Sequence, residues 1–169
     1  MKKLRRNCCA AVTAVCMLLQ MAPVGGVLAE EISSKAGPFT VIGGQSETDF
    51  RYDSENRILY LLTSTPLEIT SDQSSVTDAM IAVEEDVSAK LTIKDLNIDL
   101  KYCNGSALSI PRGASLDLTV EGENLIRSYA AGPGILVNNG ARLTVNGADT
   151  ETLEVYGAQM YSYSNQGGI

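Results

Sequence analysis

The chain has no histidine and no tryptophan in 169 residues, and only two phenylalanines. Without histidine there is no Ser–His or Cys–His pair to activate a nucleophile, and the commonest side-chain ligand of transition metals is missing. Of the four cysteines, only Cys103 lies beyond Cys16. A single cysteine makes no internal disulfide, so a domain built on the later residues is held by packing, and Cys103 reads as a small apolar filler or an inert thiol. Positive charge is also scarce: 13 Lys and Arg face 20 Asp and Glu, a formal charge of −7. Phosphate backbones and anionic lipid surfaces are repelled by such a chain, which excludes nucleic acid as a partner.

What is present begins with a basic head, Lys2, Lys3, Arg5 and Arg6, followed by an apolar run from Cys8 to Leu19 and by Val27-Leu28-Ala29. A charged head, an apolar middle too short to span a bilayer and small residues at the end describe a secretory signal peptide cut after Ala29. Pro23 and Gly25-Gly26 interrupt the segment and argue against a retained anchor. The cysteines do not follow the Leu-x-Gly/Ala pattern of a lipid-attachment site. The expected location is therefore secreted, extracellular or at the cell surface, with no membrane contact after signal removal. Loss of the four leader cations leaves nine Lys and Arg against 20 Asp and Glu, a charge of −11. The stretch that remains, Glu30 to Ile169, is long enough for one domain with its own core.

A repeat organises this domain. Tyr102, Tyr129 and Tyr156 recur at a step of 27, and Ile81, Leu108 and Ile135 keep the same step, as do Val83, Ile110 and Val137, then Ala89, Leu116 and Leu143, then Leu91, Leu118 and Val145. Within a unit the apolar spacing is two, as in Leu116-x-Leu118-x-Val120, which is strand periodicity with one face inward. Gly113-Ala114, Gly140-Ala141, Glu121-Gly122 and Asn146-Gly147 supply turns. Short strands at this period, about three to a circuit, describe an all-β solenoid, a parallel β-helix in which each unit buries its apolar face on its neighbours. An antiparallel sandwich is the alternative, but it predicts no fixed register from unit to unit.

The segment before the repeat has the same texture without the period. Phe39-x-Val41 ends at Gly43-Gly44, a turn is expected over 53–56, and Ile58-x-Tyr60-x-Leu62 and Leu67-x-Ile69 read as strands. The expected division is a signal peptide over 1–29, a linker over 30–37, an N-terminal cap or atypical first coil over 38–74, and coils over 75–169.

The stretches "FTVIGG", "DFRYDSENRILYLLTSTPLEIT", "GASLDLTVEGENLI" and "GARLTVNG" resemble those of secreted surface proteins of Gram-positive, clostridial-type bacteria, over roughly residues 38 to 169. The resemblance implies a right-handed parallel β-helix of the pectate-lyase type and a carbohydrate-binding or adhesin-like role. Members of that group run on for more coils, whereas this chain stops at Gly168-Ile169. The expectation is a truncated C-terminus whose exposed last coil promotes self-association.

Two sets of residues are candidate sites. Tyr102, Tyr129 and Tyr156, if stacked on one face, form either a platform for sugar rings or a corner in which like residues pack on each other. Asp95, Glu121, Glu123, Asp149 and Glu151 lie in the turns after the second strand of each unit. In a common register they form an acidic ribbon of oxygen ligands that suits Ca²⁺, or a solvated turn. The same register aligns Asn97 with Asn124 and Glu151, which predicts a two-rung asparagine ladder. No other cofactor is expected. A lyase needs a cation placed on the sugar, but Lys90, Lys101, Arg112, Arg127 and Arg142 share no register. The expected function is a non-catalytic module binding extracellular or cell-wall polysaccharide. The alternative is a structural stalk or remnant without a ligand, and a polysaccharide lyase comes third.

Overall fold

Strands need an inward apolar face, and the alternating segments of this chain supply one at every turn of a coil. The computed structural model describes residues 32–71, 76–101, 105–129 and 132–157; the leader, Tyr102 and Cys103 lie outside them. Among the described residues there are 14 strands and no helix. Three coils each contribute three strands. The first coil holds β6 (Met80–Val83), β7 (Ser88–Lys94) and β8 (Asn97–Leu100); the second holds β9 (Leu108–Ile110), β10 (Ser115–Glu121) and β11 (Glu123–Ser128); the third holds β12 (Ile135–Val137), β13 (Arg142–Gly147) and β14 (Thr152–Tyr156).

Equivalent strands pair in parallel and make three sheets. In the first, Ile81 faces Leu108 and Leu108 faces Ile135. In the second, Leu91 faces Leu118 and Leu118 faces Val145. Both keep the step of the sequence repeat, so the chain is a parallel β-solenoid. Leu91, Ile93, Leu108, Ile110, Leu116 and Leu118 are at most 2% exposed. Each such side chain contributes roughly 1.5–3 kcal/mol by leaving water.

The corner between the first and second sheets needs a left-handed residue in each coil. Asp86 has φ 59°, Gly113 has φ 81° and Gly140 has φ 83°. A Cβ at Gly113 would collide with the Asp86 carboxylate of the preceding coil, so the second unit requires glycine there.

The start of the solenoid is closed by antiparallel pairing. β1 (Ser33–Ala36), within the stretch expected to be a linker, pairs with β2 (Phe39–Gly43), and β2 pairs antiparallel with β5 (Pro66–Ser71), which runs parallel to β7. β3 (Phe50–Asp53) pairs antiparallel with β4 (Ile58–Leu61), which runs parallel to β6. Leu59 and Leu61 are the buried residues of β4. This reverses the face expected from Ile58-x-Tyr60-x-Leu62: an unbroken apolar run leaves parity open, and pairing of Leu59 with Ile81 and Leu61 with Val83 decides it. The Asp49 carboxylate locks the cap by accepting hydrogen bonds from the Gln45 amide at 2.8 Å and from the hydroxyls of Thr63 at 2.8 Å and Thr65 at 2.7 Å. These bonds, the Gln45 amide first, hold its pKa below the usual 3.8. In the third coil the inward residues Val137, Val145 and Val155 are 42%, 50% and 44% exposed.

Candidate binding face on the third sheet

The third sheet departs from the step of the other two. Leu125 pairs with Asn97 on one side and with Glu154 on the other, offsets of 28 and 29 in place of 27. The cause is the length of the corner that precedes it. From Lys94 to Asn97 the chain takes three steps, and from their partners Glu121 to Leu125 it takes four. From Val120 to Leu125 it takes five, and from their partners Gly147 to Glu154 seven.

This slip corrects the expected asparagine ladder. Asn97 faces Leu125 rather than Asn124, and Asn124 faces Leu153. Asn124 is 3% exposed and binds backbone instead. Its Oδ1 accepts from the Leu96 amide at 2.9 Å, and its Nδ2 donates to the carbonyls of Glu121 at 2.8 Å and Thr152 at 3.4 Å, so one side chain ties three coils together. Ser128, also turned inward, donates to the Gly105 carbonyl at 2.7 Å. These bonds are what make a polar inward residue tolerable.

The acids proposed as a calcium ribbon serve the same corner. Asp95 Oδ1 accepts from the Glu123 amide at 3.0 Å, Glu151 accepts from the Gly122 amide, and Glu121 lies 3.4 Å from Lys94 Nζ. Asp149 sits in the turn before β14. Among the described residues, no three acids or cysteines form a group that could hold a metal ion. The unequal offsets separate residues that a common register would stack.

On the outer face the slip brings different residues together. Strand alternation turns Leu125 and Arg127 outward from β11, and register sets Arg127 between Asp99 and Tyr156. Tyr156 therefore lies beside Arg127 rather than beside Tyr129. The Arg127 guanidinium carbon is 4.8 Å from the centre of the Tyr156 ring and 5.6 Å from that of Tyr129, and its Nη1 donates to Tyr129 Oη at 2.9 Å. That bond, ahead of any charge effect, raises the pKa of Arg127. The Tyr156 hydroxyl donates to Glu154 Oε2 at 3.0 Å, which raises the pKa of its phenol, the negative charge of Glu154 adding to it. Both rings remain nearly half exposed, at 46% and 47%. Tyr102 lies outside the described residues, so the ring pair, not a triad, is what the structure places.

Next to the rings, Asn97, Glu123, Asn124, Leu125, Thr152 and Glu154 line a groove of about 360 Å³. Asp99, two positions along β8 from Asn97, is 7% exposed, with Lys101 Nζ and Arg127 Nη1 each 3.8 Å from its Oδ2. Asp99 Oδ1 and Asn97 Oδ1 are buried and find no donor. The face thus offers hydrogen-bond acceptors, two partly exposed rings and a lined groove. A second hollow, of about 570 Å³ on the first sheet, is bordered by Ile58, Met80, Ala82 and Leu136 and is more apolar.

Arg127 and Asp99 were not among the residues singled out from sequence. The spacing Arg127-x-Tyr129, which leaves both on one face of a strand, was the available signal; the corner lengths that bring Tyr156 to Arg127 were not readable. No family model, curated protein or solved structure matches the chain.

Proposed function

We propose that the chain is a secreted, non-catalytic module that binds extracellular or cell-wall polysaccharide on the outer face of the third sheet. The observation that carries this reading is the pair of half-exposed rings, Tyr129 and Tyr156, held by one arginine at the edge of a polar groove. A pyranose has a face of C–H bonds and a rim of hydroxyls. The negative face of an aromatic ring attracts the first, and carboxylate and amide oxygens accept from the second. Arg127 fixes the rings before a ligand arrives, which limits the ordering cost of binding. The basic-then-apolar leader ending at Ala29 supports export.

The competing reading is a ligand-free stalk, and Arg127 favours it to the extent that the ring–guanidinium contacts are an end in themselves. A pull-down on insoluble polysaccharides, with Tyr156→Ala as the comparison, separates the two. Specific retention lost in a variant with unchanged circular dichroism supports binding. A folded chain retained by no polysaccharide supports the stalk.

A further inference from the structure

We infer that the ligand of this face is a neutral, hydroxyl-rich glycan, and that Asn97 and Asp99 select it over acidic sugars. The inference rests on the polysaccharide reading above and specifies its chemistry. Asp99 is more than nine-tenths buried, yet its Oδ1 has no hydrogen-bond donor, and the Oδ1 of Asn97 on the same strand face is in the same condition. Buried acceptors are rarely left unpaired, because they have lost water and gained nothing in return. Asn97 lines the groove and Asp99 follows two positions along the same strand, so the two atoms mark a place where a ligand entering from the groove brings the donors.

The surrounding charges say what kind of donor. The groove is lined by two carboxylates, Glu123 and Glu154, and by no cation. The nearest cations are already engaged: Arg127 on two rings and Asp99, Lys101 on Asp99. A uronic acid would bring a carboxylate, which donates nothing at neutral pH and meets three negative side chains. A sugar hydroxyl satisfies Asn97 and Asp99 without adding charge. Lys101, 59% exposed along its side chain, is long enough to shift aside as it enters, while Arg127 keeps its hold on the rings.

The test is affinity electrophoresis of the full exported chain in gels containing hydroxyethylcellulose, neutral xylan or polygalacturonate. The expected result is retardation by a neutral polymer and none by polygalacturonate. Asn97→Leu, which sets an apolar side chain beside its register partner Leu125, should weaken the neutral interaction at least tenfold. Glu154→Lys, at an exposed position, should admit polygalacturonate and serves as an independent readout should Asn97→Leu misfold. Neutral binding indifferent to Asn97→Leu, or equal retardation by polygalacturonate, overturns the inference and leaves the polysaccharide reading standing. Retardation by none of the polymers defeats both.

Discussion

The first two sheets and the third are built from the same three coils, yet they obey different rules. In the first two, residues of successive coils 27 apart face each other, the inward positions are apolar, and a left-handed residue recurs at the corner between them. In the third, the offsets are 28 and 29, two inward positions are Asn124 and Ser128, and the outward ladder reads Asp99, Arg127, Tyr156. A regular repeat stacks like on like, which makes a continuous core. Slipping one sheet sets unlike residues side by side, here acid, guanidinium and ring. The total period survives because the return corner shortens: from Asp99 to Leu108 the chain takes nine steps, and from their partners Arg127 to Ile135 eight.

The largest expected effect lies in the regular half. Leu118 is fully buried between Leu91 and Val145, so Leu118→Ala should cost about 2–5 kcal/mol, the range for such truncations. Its partner in the third coil, Val145, is 50% exposed, and Val145→Ala should cost less than about 1 kcal/mol. Urea unfolding of both variants checks the contrast; equal costs would mean that the third coil is covered in solution.

In the slipped half, Asn124→Leu fills the same space but strands one amide and two carbonyls, which predicts a loss of about 3 kcal/mol. A neutral or stabilising result would show that the asparagine bonds do not hold the sheet. Next comes the corner that creates the slip. Gly122 has φ 70°, and a Cβ there would collide with the Asp95 carboxylate. Gly122→Ala should therefore destabilise by about 1–2 kcal/mol, with part of the loss recovered in combination with Asp95→Ala. Strict additivity in that double-mutant cycle would contradict the contact.

The smallest effect is a pH dependence of the cap that seals the regular half. Asp49 has its folded pKa depressed by the Gln45 amide and two threonine hydroxyls. The unfolded chain binds the proton more readily, so the stabilisation is present above the ordinary 3.8 and is lost as pH falls through the lower folded value. Below about pH 4 the melting temperature of the parent should fall more steeply than that of Asp49→Asn; parallel curves would remove Asp49 from the account.

Much of the regular half was legible in the sequence because one step, repeated in Ile81, Leu108 and Ile135 and in Leu91, Leu118 and Val145, fixes both pairing and facing. The slipped half was not, for a physical reason. Tyr129 and Tyr156 keep the common spacing of 27 in sequence, but the longer corner before β14 moves the pairing of this sheet to 29, and backbone pairing, not spacing, chooses neighbours. The buried face of β4 was hidden by a run in which every residue is apolar, and the antiparallel cap carries no repeat to betray it. Arg127 could be noticed as an outward neighbour of Tyr129; its contact with Tyr156 belongs to the pairing alone.

The central claim is that the slipped sheet, not the regular ones, is the binding face. Amide chemical-shift mapping of residues 30–169 titrated with a soluble neutral oligosaccharide is the direct test. Shifts confined to residues 97–101, 123–129 and 152–157 are expected. Shifts on the first sheet around Met80, Ala82 and Leu136 would contradict it.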